Sequence, residues 1–347
     1  MLDKLGFVPD INRLISALDG KVPDRVPNFE LHIAQNIRTA LLEYQCPDGI
    51  AGEVEFKPKF GYDFLYAIAP HQVPPVYSRK DLKAGEGDRA WADVHSAMIT
   101  DWASFQSYDY PAPGMLDLSQ VHSAVTAAKT IPGKVGVGAL MPVAPFTETY
   151  LLFGFEEFCL KIHDDPELVK AVADRIGLVG EGGMRQLCRE PVDFVVFGDD
   201  MAYTEGMMIS PELMRELFFP WYRRFIRIAR EAGKRVVFHS DGNVEPVIPD
   251  FIAAGLNALH PIEPKAMDIV RLKKTYGKQL AFFGNVDVDL LARGTPEEVA
   301  AQAHKLIDSL APGGGYALGS SNSVADYVNP ENYKAMLMAN WVHGKIN

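Results

Sequence analysis

The chain has 347 residues, 48% apolar and 23% charged, which allows a large buried core and excludes a disordered chain. Its 34 basic and 45 acidic side chains leave a formal charge of −11, an argument against nucleic acid or an anionic membrane surface as the main partner. Three cysteines, Cys46, Cys159 and Cys188, with no CxxC pair, fit reduced thiols and exclude a disulfide framework.

The first 20 residues, MLDKLGFVPDINRLISALDG, form a helical pattern interrupted by charges, without the apolar centre of a signal peptide. No apolar run reaches the roughly 18 residues that a membrane span needs, so a cytoplasmic protein is expected. In chain order, DRVPNFE (24–30), YDFLYAI (62–68) and KVGVGAL (134–140) are candidate strands. From residue 190 a strand-then-helix unit repeats. DFVVFGDD (193–200) precedes SPELMRELFFPWYRRFIRIAREAG (210–233), which has apolar residues at helical spacing, Ser-Pro at its start and Gly at its end. KRVVFHSDG (234–242), NALHPIEP (257–264), QLAFFGNVD (279–287) and GYALGSS (315–321) each precede a further helical stretch.

Strands that are apolar almost throughout, separated by amphipathic helices, imply a parallel sheet covered on both faces. Three early strands and five late ones imply an α/β fold of the (β/α)8 TIM barrel type. A doubly wound sheet is disfavoured because no GxGxxG follows any strand. The long aromatic and Pro-rich segment 71–130 reads as an insertion after strand two, suited to a lid or a partner surface inside one domain spanning 1–347.

In such a barrel the active site lies where the strands end at their C-terminal side. The residues there are Glu30, Met141, Asp199 and Asp200, His239 with Asp241 and Asn243, His260 with Glu263, Asn285 with Asp287, and Ser320, Ser321 and Asn322, with Asp63 nearer the start of its strand. Polar residues also follow strands because turns and helix caps begin there, and for Asn243, Asp287 and Ser323 that reading is at least as good. Caps do not require His239, His260 and Glu263, however, and ionisable groups around one buried rim cost desolvation energy unless they bind something. His239 and Asp241, two apart on leaving a strand, point the same way and can converge on one metal ion or one substrate proton. Of Asp199 and Asp200, alternation lets only one face the barrel axis.

The stretches GDDMAYTEGMMISPELMRELFFPWYRRF, HSDGNVEPVIPDFIAAGLNALHPIEP, GNVDVDLLARGTPEEV and LAPGGGYALGSSNSVADYVNPENYKAML together resemble the uroporphyrinogen decarboxylase superfamily, most strongly across 190–345. The resemblance implies a (β/α)8 fold and one of two chemistries. One branch decarboxylates tetrapyrrole acetate arms without a cofactor and carries an arginine-rich MRQAGRY segment after its first strand. Here that place holds FELHIAQNIRTALLEY, in which only Arg38 could meet a polycarboxylate, so this cofactor-independent decarboxylase is the alternative reading.

The other branch moves methyl groups, and its zinc enzymes place a His-x-Cys after the fifth strand, a carboxylate further on and a Cys after the eighth. The matching positions here are His239 and Asp241, Glu263 22 residues later, and Ser320, so both thiolates are replaced. The resemblance thus implies a metal set of His239, Asp241, Glu263 and Ser320, harder than a thiolate site and suited to an oxygen ligand. A metal-free site, with His239 or protonated Asp241 as general acid tuned by Glu263, is equally consistent with the residues.

The expected function is a methyltransferase of the corrinoid-dependent O-demethylase type, which moves a methyl group from a small methoxylated donor to the cobalt of a separate corrinoid protein. The cobalamin must arrive on that partner, because this chain has no DxHxxG of its own. His239, Asp241 and Glu263 are the expected catalytic residues, with zinc as the candidate metal. Glu30, Asp63, Met141, Asp200, Asn243, Asn285, Asp287 and Ser321 are the expected substrate contacts.

Overall fold

The computed structural model describes residues 1–72 and 97–346. Its centre is one seven-stranded sheet, all parallel, in the order β1 (Phe64–Ile68), β2 (Gly136–Leu140), β3 (Phe194–Gly198), β6 (Arg235–His239), β7 (Ala258–His260), β8 (Ala281–Phe283) and β9 (Tyr316–Ala317). Sequence neighbours in this sheet are spatial neighbours, and the crossovers between them carry helices, as parallel pairing requires. A small antiparallel hairpin, β4 (Ala202–Tyr203) and β5 (Gly206–Met207), follows β3 and was not foreseen from sequence.

The ring is completed by residues 26–30. Phe29 N–H donates to the Leu318 carbonyl at 2.8 Å and Leu318 N–H to the Pro27 carbonyl at 2.9 Å, while the Asn28 side chain donates to the Gly61 carbonyl beside β1 at 3.0 Å. The expected first strand is therefore present only as two isolated bridges, Arg25 with Lys345 and Asn28 with Leu318. The physical reason is local: Pro23 and Pro27 have no N–H to give to a ladder.

Phe29 shows that these staves enclose one interior. Its ring lies 5.4 Å from Phe64 of β1, 6.1 Å from Phe194 of β3, 5.1 Å from His260 of β7 and 4.8 Å from Phe283 of β8. Such an axis works only if some positions give up volume. Gly138 on β2 is one, since a Cβ there would come within 2.2 Å of the Phe194 ring.

Outside the barrel, helices Pro166–Leu187 and Phe219–Glu231 pack tightly, with the Trp221 Nε1 donating to Asp174 at 3.0 Å. Of the segment 71–130 expected as an insertion, residues 73–96 lie outside the described residues; the remainder holds helices Trp102–Ser107 and Ser119–Ala128 between β1 and β2. Among the described residues no helix is long and apolar enough to cross a membrane.

Candidate active site

β6 delivers His239 to the C-terminal mouth of the barrel. Its Nδ1 faces Nδ1 of His260, the last residue of β7, at 3.1 Å, and its Nε2 faces Asp241 at 3.7 Å. The turn that follows depends on Gly242, held at φ +78 with the Ala202 carbonyl of the β4–β5 hairpin so near that a Cβ would approach within 2.4 Å. The same hairpin receives the Asn243 N–H on the Tyr203 carbonyl at 2.9 Å. The unforeseen hairpin thus fixes the loop that aims Asp241.

Asp200, just after β3, accepts the Asp241 N–H at 3.1 Å. One ligand atom each from Asp200, His239 and Asp241 lies within 4.8 Å of the others. On the far side, Asn322 donates from one amide nitrogen to Asp241 at 3.0 Å and to Glu263 at 3.4 Å. Burial, and then the nearby charge of Asp241, raise the Glu263 pKa above the usual carboxyl range, so this group holds its proton longer than an exposed glutamate does. Burial and the neighbouring His239 push His260 well below the usual imidazole range.

A pocket of about 410 Å³ opens at this mouth. Leu31, Tyr66, Ile68, Leu140 and Met141 form its apolar wall, and Asp200 and His239 stand at its polar end.

The residues expected at the site therefore divide. His239, Asp241 and Glu263 come together, and Met141 and Asp200 line the pocket. Asp199 turns away, as alternation implies, and accepts from Phe146 N–H, Thr147 N–H and hydroxyl, and Tyr222 hydroxyl. Asn285 is buried after β8 with its Oδ1 lacking a protein hydrogen-bond partner.

Several expectations are corrected. Asp63 precedes β1 and sits at the opposite pole, where it accepts from Arg13 at 3.0 Å and from the Asp10 N–H at 2.8 Å; burial pushes its pKa up to about 7. Glu30 is fully buried and does not reach the pocket: its carboxyl takes the Ser320 N–H at 2.6 Å and the Ser320 hydroxyl at 2.8 Å. Ser320 is thereby engaged by Glu30 and the Glu263 carboxylate is turned to Asn322, whereas ligand atoms of Asp200, His239 and Asp241 lie within 4.8 Å of one another. Asn243 and Asp287 accept locally from Glu245 N–H and Asp289 N–H, and Ser321 accepts from Val288 N–H at the start of helix Val288–Arg293. Asn322, placed at the rim after the last strand, was given no role, because its two partners are 81 and 59 residues away and no local spacing links them.

The geometry can be set beside known proteins. A curated uroporphyrinogen decarboxylase from Azoarcus sp. (strain BH72) is 31% identical over 137 residues, which is 38% of this chain and 37% of that relative, so the match spans little more than a third of the relative's length. A solved methyltransferase from Methanosarcina mazei has 17% identity and a TM-score of 0.73 over 95% of this chain and 97% of its own, a likeness of fold. The family model described as uroporphyrinogen decarboxylase matches residues 10–341. With that match running through nearly the whole barrel, from the helix before the first stave to the last helix, the chain belongs to the uroporphyrinogen decarboxylase family.

Proposed function

We propose that this protein is a methyltransferase that takes the methyl group of a small methoxylated donor, an aryl methyl ether, and passes it to the cobalt of a separate corrinoid protein. The observation that carries the reading is the junction of an apolar, ring-sized pocket with the Asp200, His239 and Asp241 group at its polar end. In the transfer the methyl C–O bond would break with its electron pair staying on oxygen, and the methyl group would pass to the partner's cobalt, whose reduced state would supply the pair for the new bond. The apolar wall would hold the ring and orient the methyl group outward. The polar end would receive the charge that grows on the departing oxygen, with Glu263 and His239 as the groups able to hold or pass a proton there.

One imidazole nitrogen and two carboxylate oxygens within 4.8 Å fit a divalent cation, with zinc as the candidate, and Asp200, His239 and Asp241 would hold it. Bound there, such an ion would supply Lewis acidity toward the ether oxygen. Asn322 supports the set by restraining Asp241 and Glu263 together.

Cofactor-independent decarboxylation of a polycarboxylate is less well supported. Arg38, the only arginine or lysine in 29–44, is turned to Glu53 at 3.8 Å, and among the described residues neither residue type lines the pocket. The test is methylation of cob(I)alamin by the purified chain, with elemental analysis alongside. His239→Ala should keep its far-ultraviolet dichroism and lose roughly 10²–10⁴ in rate, the range expected of a positioned acid–base group. Full activity in that variant would remove the proposed centre, and carbon dioxide release without cobalamin would favour the decarboxylase.

A further inference from the structure

We infer that the donor this pocket accepts is an uncharged ring ether, and that a ring carrying a carboxylate is rejected on charge. The inference rests on the methyltransferase reading and narrows its substrate class. No lysine or arginine lines the pocket among the described residues; its basic groups are the imidazoles of His32 and His239, and His239 already faces Asp241. Asp200 stands on the rim, with Asp241 and Glu263 just beyond it.

Among the described residues, three cations of the neighbouring segments are committed elsewhere. Lys57 is buried, donates to the Glu30 backbone carbonyl at 2.8 Å and lies over the Tyr62 and Phe64 rings. Arg38 faces Glu53, and Arg13 is at the opposite pole with Asp24 and Asp63. With any divalent ion removed by a chelator, Asp200 and Asp241 set the sign of the charge at this end of the pocket. A carboxylate entering this pocket would lose its hydration and meet like charge, whereas a neutral ring of the same shape would lose little and bury its faces against Leu31, Tyr66 and Met141.

The test uses an isosteric pair, 4-methoxybenzamide and 4-methoxybenzoate, titrated calorimetrically against the full chain with a chelator present. The amide should bind at least about tenfold more tightly, since each tenfold corresponds to only about 1.4 kcal/mol of like-charge and desolvation cost. Equal or tighter binding of the benzoate, or no binding of either compound, would overturn the inference. Because this is a binding measurement, it is independent of the cob(I)alamin assay that tests the reaction itself. Ile68→Lys adds a cation on the pocket wall at a position already 40% exposed, so the fold should tolerate it. It should narrow the gap between the two compounds by about tenfold; an unchanged gap would show that charge is not what the pocket reads.

Discussion

Glu30 is a fully buried carboxyl group whose oxygens accept from the Ser320 N–H and hydroxyl. Burial pushes its pKa up to about 8, against the opposing pull of the two bonds from Ser320. In the folded chain it keeps its proton up to that pH, whereas unfolded it gives the proton up near 4.5. The folded state thus binds more protons between those values, and the stability Glu30 allows falls as pH rises from about 4.5 to about 8, then stays level. Glu30→Gln fixes a neutral side chain at every pH; its amide oxygen can still accept the Ser320 N–H, while its amide nitrogen donates to the Ser320 hydroxyl instead of accepting from it. In urea titrations it should match the parent near about pH 5 and exceed it near about pH 9 by a few kcal/mol at most; parallel curves would show that Glu30 carries no buried-charge cost. Sequence could show that Glu30 ends an apolar run. It could not show that the carboxyl turns toward Ser320, 290 residues away, because such a pairing leaves no local periodicity. His239 and Asp241 were legible for the opposite reason: their relation is two residues of strand geometry.

At the level of elements, Asp199 ties a strand to two helices. It stands at the end of β3, takes the Phe146 and Thr147 N–H groups at 2.7 and 2.8 Å, and so anchors the first turn of helix Pro145–Phe153; it also accepts from Tyr222 on helix Phe219–Glu231 at 2.8 Å. Asp199→Ala removes a cap and strands a buried tyrosine hydroxyl, a loss of about 2–4 kcal/mol that chemical denaturation should register. All seven strands of the sheet fall within apolar runs visible in the sequence, since burial on both faces writes itself as continuous Val, Phe, Leu and Ala. The β4–β5 hairpin was not visible, being only two residues per strand with no alternation to detect. Asp63 was placed near the start of its strand yet counted as a substrate contact; with β1 beginning at Phe64, that start is the pole opposite the mouth.

On the scale of the whole molecule, closure depends on a segment that is scarcely a strand. Residues 26–30 make few ladder bonds, yet Phe29 is the point where rings from β1, β3, β7 and β8 meet. The barrel's last stave is held in place more by that plug of aromatic volume than by backbone pairing. Phe29→Ala should therefore cost about 3–5 kcal/mol, the upper range for a core truncation, and should loosen the Glu30–Ser320 contact one residue on. Loss of cooperativity in the unfolding transition, or amide exchange concentrated at residues 316–322, would report that opening; a loss under about 1 kcal/mol would show that the axis repacks without it.

The two imidazoles at the mouth also share a hydrogen. With both rings neutral and their Nδ1 atoms 3.1 Å apart, one ring must donate and the other accept. If His239 donates, its Nε2 turns a lone pair toward Asp241, and His260 carries its own hydrogen on an Nε2 that has no partner in the barrel wall. If His260 donates, the outward nitrogen of His239 bears an N–H instead. The inner ring, buried behind the outer one, sets by its tautomer whether the outer one meets a visitor as a base or as an acid.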